Sequence, residues 1–136
     1  MGAWGYGPFE NDDALDFVAD LETTTGTGHL STVLSAIADD RSEYVEAPES
    51  SAAIAAAEVV AALLGYPHPE LPEEVTLWVA QQAGSHADLA REALRAVGRI
   101  AESSELREMA EEDDDFPSWQ ESIADLIGRL RAGPVA

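Results

Sequence analysis

A chain of 136 residues with 46% hydrophobic content fits one compact domain, with enough apolar material to bury a core without a metal or a crosslink. Twenty-seven carboxylates against seven cations, all of them arginine, give a formal charge of −20. That charge repels nucleic acid and anionic membranes, and the absence of cysteine excludes disulfides, zinc–thiolate sites, iron–sulfur clusters and thiol nucleophiles.

The opening Met1-Gly2-Ala3-Trp4-Gly5 has neither the basic region nor the apolar stretch of a secretory signal. The longest apolar stretch, Ala52 to Leu64, is broken by Glu58 and falls short of the ~20 residues of a membrane span. The expectation is a soluble, cytoplasmic protein. Asn11 is placed to cap a first helix, with Asp12 and Asp13 at the positive end of its dipole. Ala14, Phe17, Val18 and Leu21 recur at helical spacing. After the breaker Thr23–Gly28, Leu30, Val33, Leu34 and Ile37 mark the buried side of a second helix, which Asp39-Asp40-Arg41-Ser42 ends.

The next segment is the most distinctive. Pro48 suits a helix start and Gly65 a helix end, and residues 52–64 between them are apolar on nearly every side apart from Glu58. A helix without a polar face is surrounded by others, so this one is placed at the centre of the fold. Tyr66-Pro67-His68-Pro69 reads as a stiff linker. Pro72 begins a short helix with Val75, Trp78 and Val79 inward, and Gly84 stops it. Ser85 and Asp88 resemble a capping box before the stripe Leu89, Ala90, Ala93, Leu94, Val97, Ile100 and Ala101. A sixth helical turn is expected near residues 105–110, and the five carboxylates 111–115 are expected to end it by mutual repulsion. Ser118-Trp119-Gln120-Glu121 reads as a capping box for the last stripe, Trp119, Ile123, Leu126, Ile127 and Leu130, with Asp125 and Arg129 as an i,i+4 pair. No segment alternates with strand period. The predicted architecture is all-α: one helical domain over residues 1–136, five to six helices around the alanine-rich one, with the glycine–aromatic arm 1–10 packed irregularly on the bundle.

The opening run from Met1 to Ala14, with Trp4-Gly5-Tyr6-Gly7-Pro8-Phe9 followed by Asn11-Asp12-Asp13-Ala14, resembles the start of the bacterial family called domain of unknown function 4259. Tyr44-Val45-Glu46-Ala47-Pro48, the segment Ala55-Ala56-Ala57-Glu58, and Ser104-Glu105-Leu106-Arg107-Glu108 with Trp119 downstream are similar to further stretches of that family. Val45 stands where leucine is more usual. The resemblance covers nearly the whole chain and implies a small bacterial protein with no assigned activity, substrate or cofactor, so it carries over no catalytic residues.

The candidate binding residues are Trp4, Tyr6, Phe9, Asn11, Asp12, Asp13 and Glu58. Aromatic side chains on a glycine-rich arm can present a surface to a ligand, but they can equally plug the core, which is the reading preferred here. Asn11, Asp12 and Asp13 are hard oxygen donors, yet their spacing is not that of a calcium loop, and helix capping accounts for them. Glu58 sits in an apolar helix and needs a partner; Arg95 or Arg99, on the ladder Arg91-Arg95-Arg99, is expected to pair with it, the backbone amides of the arm being the alternative. His29, His68 and His86 are scattered and read as surface residues. No catalytic residue, cofactor site or metal site is predicted.

The functional expectation is a non-catalytic acidic binding or regulatory protein that contacts a basic protein, an immunity protein against a cationic nuclease being one concrete example. Two alternatives stay open. One is a ligand-binding protein or enzyme with a pocket between the arm and the central helix; the other is a structural domain that forms homo-oligomers through its apolar helices.

Overall fold

The computed structural model describes residues 7–24, 26–39, 44–82, 86–113 and 116–132. Every regular element among them is a helix: α1 (Asp12–Glu22), α2 (Gly28–Ala38), α3 (Ala47–Leu63), α4 (Glu73–Ala80), α5 (Ala87–Glu102), α6 (Glu105–Glu112) and α7 (Phe116–Ala132). The first begins as its sequence dictates. Asn11 holds an extended backbone, and its side-chain oxygen accepts a hydrogen bond from the amide of Ala14 at 2.8 Å. Replacing Asn11 by alanine is expected to lower stability by about 1 kcal/mol, read by chemical denaturation, because that donor then loses its partner.

The alanine-rich helix α3 is the axis of the bundle and touches each of the other six helices. Its residues 53–62 are all buried, so no side of its middle faces water. Small side chains make this arrangement feasible, because they let neighbouring backbones come close without leaving voids. The helix ends in a Schellman motif. Gly65, at φ 102°, lets its own amide reach the carbonyl of Ala62 at 3.0 Å, while the amide of Tyr66 reaches Ala61 at 2.9 Å. Around α3 the core takes Phe17 and Leu21 from α1, Leu30, Leu34 and Ile37 from α2, Ala96, Val97 and Ile100 from α5, and Ile123, Leu126 and Leu130 from α7. Apart from Ala96, these belong to the stripes that the helical spacing marks.

The count of five to six helices is corrected to seven among the described residues. The sixth helix, α6, reaches Glu112 and stops at Asp113, inside the run of carboxylates 111–115 expected to end it. Ser104 sets where it begins. Its hydroxyl accepts from the amide of Arg107 at 3.0 Å and donates to the carbonyl of Ile100 at 2.9 Å, joining the end of α5 to the start of α6. Arg107 then lies 3.7 Å from Glu111, one turn on, which offsets part of the repulsion. At the start of α7 the expected cap, Ser118, is already inside the helix, which begins at Phe116. Pro117 is tolerated there because first-turn amides have no helical partner to lose. Ser85 lies outside the described residues, and His86 occupies the position before α5.

Candidate functional site

Two places in the bundle stand out: a buried ion pair on α3, and a cleft where α1 meets α4. Glu58 is fully buried, and its two carboxylate oxygens accept from both terminal nitrogens of Arg129 at 2.8 and 2.9 Å. The same guanidinium donates to the carbonyl of Tyr66 at 3.1 Å and, through Nε, to Asp125 at 2.8 Å. Burial acts to lower the pKa of this arginine, but the hydrogen bond and charge of Glu58, followed by those of Asp125, outweigh it and hold the group above its ordinary value.

The expected partners of Glu58 are therefore corrected. Arg95 pairs with Asp39 at 2.6 Å and Arg99 donates to the carbonyl of Ile37 at 3.2 Å, so these two residues tie α5 to the end of α2. Arg129 wins because it borders the buried stripe of α7, next to Leu130, and its long side chain reaches inward to α3. The sequence did carry a signal, the i,i+4 relation of Asp125 and Arg129, but nothing local tied either residue to Glu58.

The remaining candidates lie apart from this pair. Trp4 and Tyr6 lie outside the described residues. Phe9 is buried in the core, as is Pro8, so its ring fills space and is not offered to a ligand. Asn11 is occupied as a cap, with Asp12 exposed and Asp13 half-buried in the first turn. Among the described residues no three carboxylate or imidazole groups converge as a metal ion would require. His29 departs from the surface reading: its ring stacks on Phe17 with centroids 5.2 Å apart, and its Nε2 is buried. Among the described residues no helix is long and apolar enough to cross a membrane.

The cleft was not legible as a site. It holds about 350 Å³ and is lined by Glu22, Thr23, Thr24, Glu74, Leu77, Trp78 and Gln81. Trp78 forms a fixed wall, because its indole N–H donates to the carbonyl of Thr24 at 3.2 Å and so holds α4 against the end of α1. The threonine hydroxyls are spent locally, on Asp20 at 2.7 Å and Leu21 at 2.8 Å. Leu77 is 60% exposed at the rim. Its one sequence signal is that it falls off the stripe of Val75, Trp78 and Val79. A second acidic neighbourhood surrounds Tyr44, whose hydroxyl donates to Glu108 at 3.2 Å. Partial desolvation, then the charges of Glu105 and Glu108, push that phenol above its ordinary value.

The family model described as domain of unknown function (DUF4259) matches residues 2–122 of the 136. The chain belongs to this family. No curated protein and no solved structure matches it. The DUF4259 match takes in Glu58 and the whole cleft, whereas Arg129 lies beyond the last matched residue. The family's description assigns no activity, so what the chain does has to be argued from its own surface.

Proposed function

We propose that this DUF4259 protein is a non-catalytic acidic binding protein whose partner is a basic protein. The observation that carries the reading is how the few cations are used. Arg91 is paired with Asp88, Arg95 with Asp39, Arg107 with Glu111 and Arg129 with Glu58 and Asp125. These four of the seven arginines are spent on carboxylates of the same chain, while the exposed carboxylates of α1, α4 and α6 stay in excess. Such a surface steers a positively charged partner during diffusion and rejects an acidic one. A protein that neutralises a cationic nuclease is the concrete form this function would take. The alternative of a catalytic or ligand pocket under the N-terminal arm needs a free Glu58, and both oxygens of that residue are held by Arg129.

The test is affinity capture from host lysate with the immobilised chain, eluted by rising salt. The expected result is a basic protein released by about 1 M salt, where the screening length falls to about 3 Å. Capture of an acidic protein, or retention that salt does not change, would contradict the reading.

A further inference from the structure

We infer that the cleft between α1 and α4, together with the outward stripe of α1 that runs into it, docks an amphipathic cationic segment of the partner protein; this rests on the acidic-binding reading above. Leu15, Ala19 and Glu22 follow one another at i, i+4 and i+7, so they share one line along α1, and all three are exposed. Leu15 is 40% exposed, Leu77 at the rim of the cleft is 60% exposed, and Trp78 forms the wall of the cleft. An apolar strip leading into a concavity with an acidic margin has the anatomy of an interface, in which an apolar centre is ringed by polar groups.

Two separate features favour a cation as the polar part of the occupant. Glu22 and Glu74 flank the cleft, and among the described residues neither forms an ion pair. The cleft also lies at the carboxyl end of α1, where the helix dipole is negative, and the last turn of α1 has no basic residue to answer it. An arginine or lysine serves both, with its aliphatic stem along Leu77 and Trp78 and its charged head near the two carboxylates. A lone small cation would leave the apolar strip uncovered. A purely apolar segment would bring the two carboxylates into a drier setting with no partner, which is unfavourable.

The probe is a short synthetic helical peptide in which arginines flank leucines at i,i+4 spacing. Its binding to the full chain is followed by the NMR signal of the Trp78 indole N–H. Two control peptides replace arginine by neutral citrulline, or leucine by serine. The expected result is a saturable shift of the indole signal, with each control peptide binding about tenfold more weakly. Glu22→Gln with Glu74→Gln should weaken the parent peptide about tenfold. Leu77→Ser should weaken the parent about fivefold yet leave the serine peptide almost unchanged, since the two leucines then act on each other. The proposal is overturned if neutralising Glu108 and Glu111 on α6 weakens binding as much as neutralising Glu22 and Glu74, or if the citrulline peptide binds as well as the parent. If the natural partner is still captured and still released by salt in either case, the acidic-binding reading stands and only this docking site falls.

Discussion

Replacing Arg129 by alanine is expected to lower the unfolding free energy by about 3–5 kcal/mol, a large share of what a domain this size has. The variant leaves a carboxylate that is fully buried on α3 with neither of its two donors. Glu58→Gln should be milder, because Arg129 keeps Asp125 and the carbonyl of Tyr66, and its side chain is 15% exposed. The double variant Glu58→Met with Arg129→Met should regain most of the loss, since the penalty of the single change lies in the stranded charge, which is absent once both partners are apolar. Denaturant midpoints of wild type and the three variants form the measurement. An Arg129→Ala protein within about 1 kcal/mol of wild type would mean that water reaches Glu58. The pH dependence has a definite sign on the arginine side. A folded pKa raised above the unfolded one gives stability that is fully present below the unfolded value and is lost only as pH climbs through the folded value. Both lie in strongly alkaline solution, so protonation of Arg129 makes no slope in stability between about pH 6 and pH 9.

That pair also marks where sequence reasoning stops. The helical stripes, the Asn11 cap and the Gly65 terminator are local features, determined by residues within about two turns of one another, and the structure has them where the spacing puts them. The enclosed position of α3 was equally legible, because a helix with no wet side has nowhere else to go. The partner of Glu58 was not. It lies 71 residues away, and choosing among seven arginines requires knowing which helix lands on α3 with which face turned inward. The more obvious ladder on α5 failed for a physical reason: Arg95 is on the wet face, where Asp39 at the end of α2 meets it first. The cleft was hidden in the same way. Glu22 and Glu74 stand 52 positions apart and line one cleft only because Trp78 fastens α4 to the carbonyl of Thr24, just past the end of α1. A tryptophan on the inward stripe of a short helix predicts burial, but it does not say where its N–H will find an acceptor.

Ala56→Leu is expected to destabilise the protein by about 1–3 kcal/mol, or to prevent folding, although leucine is larger and more hydrophobic. Ala56 has no exposed surface, nor do Ala53, Ala55, Ala57 and Ala61 around it on the same helix. With α3 touching all six other helices, no open side remains toward which added methylenes could turn. Strain then spreads into a core whose other members, in the helices packed on α3, are themselves fully enclosed. Ala52, half-buried near the start of the same helix, supplies the control. Ala52→Leu should change stability by less than about 1 kcal/mol, since part of the new side chain can lie in solvent. The comparison separates close packing from helix propensity, because alanine and leucine differ little in propensity and both sites are helical. Equal stabilities for the two variants would show that the middle of α3 can yield. The bundle would then owe its arrangement less to alanine's small size than to the long side chains that surround it.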